Sequence, residues 1–153
     1  ADGAMGLVAN KLLGSTTFPD LMEQLGLANT ELQRDIRVHF GGPVEDSRGF
    51  VLHGTDYQRD GTMVMDNGIA LTATIDILRE IAAGGGPQRN ILALGYAGWG
   101  PGQLESEIRD NAWLHVAPDT QLLFSDDIDS MWERAVAKIG IDVSMLSGVA
   151  GRA

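Results

Sequence analysis

The sequence of 153 residues contains no cysteine, only two lysines and no long apolar run. Without cysteine there is no disulfide, thiolate nucleophile or cysteine-ligated zinc site, so the fold depends on ordinary packing, and a cytoplasmic location is compatible with this composition. The short apolar runs are interrupted by Gly, Asp or Asn, whereas a membrane-spanning helix needs about 20 apolar residues. We therefore expect a soluble, cytoplasmic single domain with no membrane partner.

Positive charge is also scarce. The chain has 11 basic and 21 acidic residues, which gives a formal net charge of -10 and an isoelectric point near 4.5. Neither half of the chain is basic, and an acidic surface repels the phosphate backbone of nucleic acids. Direct nucleic-acid binding is therefore disfavoured.

In the N-terminal half, hydrophobic spacing predicts one helix and three strands. Apolar residues with helical spacing predict a short helix over residues 18–25, and Gly26 ends it. Apolar runs predict a buried strand over residues 4–9 and strands over residues 36–40 and 49–53, the last two paired as a hairpin. Only three residues precede the first predicted strand and the chain does not begin with Met, so we expect further residues before Ala1.

From residue 62 onwards, the sequence predicts a second hairpin and three helices. Asn67-Gly68 is typical of a tight turn between strands 62–65 and 69–72, and a helix over residues 74–83 follows, with Ile75 on its apolar face. An almost wholly apolar run at residues 90–95 predicts a central strand covered on both faces. It leads through a glycine-rich turn, residues 95–102, into a helix.

The remaining pattern predicts strands and one more helix. Leu104, Ile108 and Ala112 are the predicted inner face of the helix that follows the glycine-rich turn. Residues 113–116 and 121–124 predict two short strands, and residues 128–139 predict a final helix. Helices and strands are interspersed without regular βαβ alternation, which indicates an α+β fold with a mixed sheet.

The glycine-rich turn is the first candidate site. Its spacing matches neither a P-loop nor a dinucleotide-binding fingerprint, and Pro101 removes a backbone donor, which argues against phosphate. A purely structural role for its glycines, which would admit the aromatic rings into packing, is the favoured interpretation. The alternative is a shallow pocket or partner surface formed by Tyr96, Trp99, Gly100 and Gln103.

A second candidate combines a rigid turn with an arginine. Gly41, Gly42 and Pro43 follow one predicted strand and Arg48 precedes the next, where its guanidinium could receive a carboxylate. The favoured alternative is an ion pair between Arg48 and a nearby acid such as Glu45 or Asp46. Together with the glycine-rich turn, these residues form the hypothetical ligand or partner surface.

Candidates for metal binding and catalysis are weaker. His39 and His53 could face each other across the predicted hairpin, with Asp56 as a third ligand, but polar cross-strand or surface histidines are favoured. The acidic residues at 126–129 match helix capping better than a calcium loop. No nucleophile elbow, S-x-x-K pair or H-E-x-x-H helix is present. We therefore predict no metal and no cofactor, and leave catalytic residues unknown.

Several motifs, taken in order, resemble one family of small bacterial proteins. They are Gly3-Ala-Met-Gly-Leu-Val8, Phe40-Gly-Gly-Pro-Val44, Arg48-Gly-Phe-Val-Leu-His53 and, most specifically, Gly95-Tyr-Ala-Gly-Trp-Gly-Pro-Gly-Gln-Leu-Glu105. This pattern resembles the AlgH/YqgE family. The resemblance implies a single α+β domain with a mixed, bifurcated, barrel-like sheet and flanking helices, preceded in the family by some thirty further N-terminal residues.

The resemblance implies little about activity, because members are labelled transcriptional regulators without an established activity, cofactor or set of catalytic residues. We interpret the chain as a cytoplasmic regulatory protein that acts through a protein or small-molecule partner. The main alternative is a hydrolase-like enzyme that uses His39 or His53 as a base beside the glycine-rich segment. Direct DNA binding is a third hypothesis, which the negative charge opposes.

Overall fold

The structure, a computed structural model, describes residues 2–27 and 34–140. Its strands are β1 (Ala4–Gly6), β2 (Val38–Phe40), β3 (Val44–Gly54), β4 (Thr62–Val64), β5 (Ile69–Thr72) and β6 (Asn90–Trp99). Its helices are α1 (Phe18–Gln24), α2 (Ile75–Ala82), α3 (Gln103–Arg109), α4 (Thr120–Leu123) and α5 (Met131–Ala137). In the part of the chain described, no helix is both long enough and apolar enough to span a bilayer.

Strand β6 organises the sheet. The strand order is β1-β6-β3-β5-β4, and β2 also pairs with β6. The β2–β6 pair is parallel, whereas the other pairs are antiparallel. The sheet curls into a half-barrel with flanking helices, which confirms the predicted single α+β domain with a mixed, barrel-like sheet.

The predicted hairpin between the second and third strands is wrong. Strand β2 pairs with Leu92–Leu94 of β6, and β3 lies along the other edge of the same strand, with Phe50 opposite Ala93. The other edge of β3 is taken by β5. Both edges of β3 are therefore occupied, and β2 joins the sheet through a parallel pairing that sequence proximity does not reveal.

Local sequence patterns correctly predict the hairpin of β4 and β5 and the helix α1. Asn67 and Gly68 have positive φ angles of 61° and 77°, as the Asn-Gly turn requires. At the start of α1, Thr17 Oγ1 accepts from the Asp20 amide at 3.3 Å and Asp20 Oδ2 accepts from the Thr17 amide at 3.4 Å. This reciprocal capping box explains why the short helix begins at Phe18.

The main core lies between α1, α2 and the sheet. It contains Phe18, Leu21, Met22, Leu27, Val38, Val51, Tyr57, Ile77, Leu78, Ile81, Ala82, Leu92 and Leu94. The predicted role of Ile75 is wrong: this residue begins α2, is 44% exposed, and leaves the buried face to residues 77, 78, 81 and 82. The buried residues Ile91–Leu94 confirm the central strand.

The C-terminal half departs furthest from the sequence-based elements. Residues 113–116 lie outside regular structure, and residues 120–123 form α4 instead of a strand, because Asp119 Oδ1 caps it by accepting from the amides of Gln121 and Leu122. The predicted inner face of α3 is also wrong, since none of its residues is buried and Ile108 is 41% exposed. Helix α5 is shorter than predicted and leaves Ile139 exposed.

Candidate functional site

The two glycine-bearing segments of the predicted surface meet through their backbones. The Gly41 amide donates to the Leu94 carbonyl at 2.7 Å. A Cβ atom on Gly42 would overlap the carbonyl group of Tyr96, and one on Gly41 would overlap the Gly95 carbonyl oxygen. These glycines are therefore required for close backbone approach. Residues 95–99, predicted as part of a turn, instead continue β6.

The backbone of residues 41–42 crosses β6 at Gly95. In the part of β6 that follows, Tyr96 lies on an exposed, partly apolar face of the sheet. Val44 of β3 pairs with Tyr96, and Met5 of β1 pairs with Gly98. Paired residues, and residues two apart along a strand, share a face, so Met5, Val44 and Tyr96 point the same way. Met5 is 45% exposed and Val44 is 39% exposed. Because Gly98 has no side chain, the centre of this face is a shallow depression.

Arg48 extends the same face. Its guanidinium carbon lies 5.1 Å from the centre of the Phe50 ring, and that ring meets Tyr96 edge-on at 5.8 Å. Between Val44 and Gly49 the register with β6 shifts, so the intervening residues bulge outwards. We call the surface formed by Met5, Val44, Arg48 and Tyr96 around Gly98 the tyrosine face.

A carboxylate also reaches the tyrosine face. Arg48 Nη1 lies 3.6 Å from Glu45 Oε2, with both side chains about half exposed. This is the anticipated ion pair, and at such exposure it contributes little stability. A hydrogen bond from the Tyr96 hydroxyl to Glu45 raises the pKa of Tyr96 above its usual value of 10.0. Both polar tips are therefore oriented by Glu45 while they remain accessible.

Trp99 lies on the opposite face of β6. Trp99 is three residues from Tyr96 in the same strand, so the two side chains point to opposite faces. A Cβ atom on Gly6 would lie 3.0 Å from the Trp99 ring, which therefore packs against β1 on that opposite face. Its ring meets Trp113 edge-on at 5.8 Å. The structure thus separates Trp99 from Tyr96, although the sequence hypothesis joined them in one surface.

Gln103 and Glu107 form hydrogen bonds near Trp99 and Trp113, on the side of β6 opposite Tyr96. Gln103 Oε1 accepts from the Gly100 amide at 2.9 Å, and Glu107 Oε1 accepts from Trp113 Nε1 at 3.0 Å. The hydrogen bond from Trp113 is the main cause that lowers the pKa of Glu107 below its usual 4.5. Gly100 and Gln103 of the predicted surface therefore have identifiable structural contacts at the start of α3.

The histidines do not face each other. His39 is opposite Ala93 on one edge of β6, while His53 is opposite Asn90 on the other edge, so the cross-hairpin arrangement is wrong. His53 is fully buried, with Nδ1 2.7 Å from the Gly54 carbonyl and Nε2 2.8 Å from Thr72 Oγ1. Within the described ranges, no group of three His, Asp or Glu side chains could hold a metal.

His39 is 4% exposed and its Nδ1 lies 3.0 Å from the Ala9 carbonyl oxygen, to which it donates. Burial, and the nearby charge of Arg37, lower the pKa of His39 below its usual 6.5. Among the described residues, no hydroxyl group is hydrogen-bonded to a ring nitrogen of His39, and Ser125 Oγ instead accepts from the Asp127 amide and Arg134 Nη1. The hydrolase alternative therefore gains no support.

The lowered pKa of His39 predicts a pH-dependent stability. The unfolded chain takes up a proton at a pH where folded His39 stays neutral, so the contribution is present above the unfolded value of 6.5 and is lost as pH falls through the folded value. We expect the unfolding free energy of the native protein to fall more steeply than that of His39→Gln between about pH 7 and pH 5. Parallel pH curves from chemical denaturation would contradict this assignment.

Sequence reasoning missed a cleft of about 390 Å³ beside His39. It lies where the residues before β2, the start of β6 and the end of α4 come together, and it contains Arg34, Arg37 and Arg89. The arginines are separated by up to 55 positions along the chain, so no local motif marks them.

An AlgH-like family model matches residues 1–144. The chain belongs to the AlgH-like family, as the sequence motifs indicated, and the function of this family is not established.

Individual relatives agree with this assignment. The chain is 52% identical over 153 residues to a UPF0301 protein of Rhodospirillum rubrum, covering all of this chain and 80% of the relative. It is 52% identical over 161 residues to a UPF0301 protein of Bradyrhizobium diazoefficiens, covering 75% of that protein. The solution structure of the AlgH protein from Pseudomonas aeruginosa matches with a TM-score of 0.79 and 39% identity, over 99% of this chain and 80% of that one.

Proposed function

We propose that this chain is a cytoplasmic regulatory protein that acts without catalysis, by binding a protein partner through the tyrosine face. The observation that supports this most directly is the pair of exposed apolar side chains, Met5 and Val44, on either side of Tyr96. Both residues pair with the last part of β6, residues 96–99, in which no residue is buried.

The composition of this face favours a protein over a nucleic acid. Tyr, Met and Arg are enriched in protein interfaces, where aromatic and arginine side chains contribute much of the binding energy. Arg48 provides a planar donor beside the apolar centre, while Glu45 and Asp46 add negative charge at the margin. That margin, within a chain of net charge -10, repels a phosphate backbone.

Photo-crosslinking in cells tests the proposal. A photoreactive benzoylphenylalanine replaces Val44 in one variant and Glu23, an exposed residue of α1, in a control. We expect an adduct of defined mass with one protein from position 44 and none from position 23. The same adducts from both positions, or none from position 44 in a folded protein, would contradict binding through the tyrosine face.

A further inference from the structure

We propose that the cleft beside His39 binds a small phosphate monoester that carries a planar ring. The cleft has a volume of about 390 Å³, which falls within the range of small-molecule sites. It contains the first residues of β6, whereas the tyrosine face lies at the other end of this strand. The two sites are therefore separate, and this inference does not depend on the proposed protein partner.

The charge of the cleft is opposite to that of the chain. It contains three of the 11 basic residues but only two of the 21 acidic ones, Asp35 and Asp126. Asp126 is already engaged, since Arg37 Nη2 lies 3.6 Å from its Oδ1 and Arg37 Nη1 donates to its carbonyl at 3.1 Å. An acidic protein that gathers arginines in one concavity presents a local site for an anion.

Backbone carbonyls hold one of these arginines in place. Arg34 Nη1 donates to the Pro87 carbonyl at 2.9 Å, and Nη2 donates to the Gln88 carbonyl at 2.6 Å. Carbonyl oxygens are neutral acceptors, so they orient the guanidinium without cancelling its charge. Arg34 therefore contributes a fixed positive potential to the cleft rather than a mobile side chain.

Arg89 supplies the group that would contact the ligand. Its side chain is exposed and makes no hydrogen bond or ion pair with any residue that the structure describes. A guanidinium presents parallel N–H donors that match two oxygens of a phosphate. Because Arg89 directly precedes Asn90 at the start of β6, its backbone is anchored, while the donors themselves remain available.

His39 offers a hydrogen-bond acceptor to a ligand in the cleft. Since its Nδ1–H donates to Ala9, its Nε2 carries a lone pair. His39 lines the cleft, and none of the described residues forms a hydrogen bond with its Nε2. The monoanion of a phosphate monoester, which is present near and below its second pKa of about 6, carries a P–O–H that can donate to Nε2, whereas a carboxylate has no such proton.

The remaining wall of the cleft suits a planar ring. Ile36 and Phe124 are half-buried and line the cavity beside the arginines. An aromatic face and a branched aliphatic side chain can pack against a ring and remove it from water. The ligand would place its phosphate towards Arg89 and His39 and its ring towards Phe124.

Isothermal titration of the folded protein with adenosine 5′-monophosphate tests this assignment. We expect saturable binding, at least tenfold weaker in Arg89→Ala, which corresponds to about 1.4 kcal/mol, and unchanged in Arg109→Ala, a matched removal of an exposed arginine on α3. Adenosine, which has the same ring but no phosphate, should bind at least tenfold more weakly. In an NMR titration, the amide signals of residues 89–91 should shift on binding.

Three results would overturn the proposal. One is the absence of saturation at about 10 mM nucleotide, which lies beyond the millimolar range of weak specific binding. Another is equal affinity for the nucleotide and adenosine, which would show that phosphate is not recognised. The third is an equal effect of Arg89→Ala and Arg109→Ala, which would indicate general charge attraction rather than a site at the cleft.

Discussion

Replacement of Gly95 by alanine is expected to lower the free energy of unfolding by about 3–5 kcal/mol, the combined effect of a strained backbone and an overpacked contact. Gly95 has a φ angle of +78°, and a Cβ there would overlap the Gly42 carbonyl oxygen and lie 3.2 Å from Asp46 Cα. Backbone atoms on both sides cannot rotate away as a side chain could. The whole crossing of residues 41–42 over β6 would therefore have to shift.

Chemical denaturation of Gly95→Ala and Gly14→Ala measures this effect. Gly14 is the matched control, because a Cβ at that position meets nothing within 4 Å. We expect Gly14→Ala to change the unfolding free energy by less than about 0.5 kcal/mol, as for an ordinary surface substitution. Similar small effects for both variants would mean that the backbones do not cross as closely as described.

His53→Ala is expected to destabilise the protein by about 3–4 kcal/mol, since it removes a buried ring and leaves a buried hydroxyl without its acceptor. His53 and Thr72 are both 0% exposed. The contact of His53 Nδ1 with the Gly54 carbonyl places the proton on Nδ1, so the Thr72 hydroxyl donates to Nε2 at 2.8 Å. The Thr62 hydroxyl, 2.8 Å away, then donates to Thr72.

A double-mutant cycle separates this hydrogen-bonded chain from simple loss of volume. Thr72→Val keeps the shape but leaves His53 Nε2 unpaired, which should cost about 1–3 kcal/mol. If the two groups act as one network, the destabilisation of His53→Ala combined with Thr72→Val will be smaller than the sum of the single effects by about 1 kcal/mol. Strict additivity would show that the two side chains are energetically independent.

Elements with a complete local signal were predictable. Helix α1 has both its apolar spacing and its capping residues within one short segment, and the turn at Asn67 depends on two adjacent residues. The cap at Asp119 is also a local signal for α4, whereas the apolar run within residues 121–124 predicts a strand. In that segment a capping signal outweighed an apolar run.

Pairing between distant segments was not predictable in the same way. The parallel contact of β2 with β6 joins residues more than 50 positions apart. The residue pattern of neither strand identifies the other as its partner. Similarly, the glycines at 95–99 indicated a turn, whereas the backbone approaching from Gly42 is what requires Gly95. Glycine density in the sequence does not distinguish a turn from a strand that another backbone crosses.

Strand pairing also decides which residues of the predicted surface are neighbours. Arg48 approaches Tyr96 through the Phe50 ring of β3, which both side chains contact. Trp99 falls on the opposite face, because residues 95–99 form a strand with alternating side chains. The arginine cleft depends on three segments that only the tertiary fold unites. Local chemistry identified candidate residues, while strand pairing decided which of them are neighbours.

The central claim, partner binding through the tyrosine face, can be tested within the crosslinking variant itself. Gly98 is exposed, and a Cβ there would meet only the Tyr96 ring at an ordinary 3.7 Å, so Gly98→Glu should fold while placing a charge in the centre of the face. Gly14→Glu adds the same charge elsewhere. With the photoreactive residue at position 44, we predict that the partner adduct is lost in Gly98→Glu and retained in Gly14→Glu; equal adduct yields in both folded variants would contradict the claim.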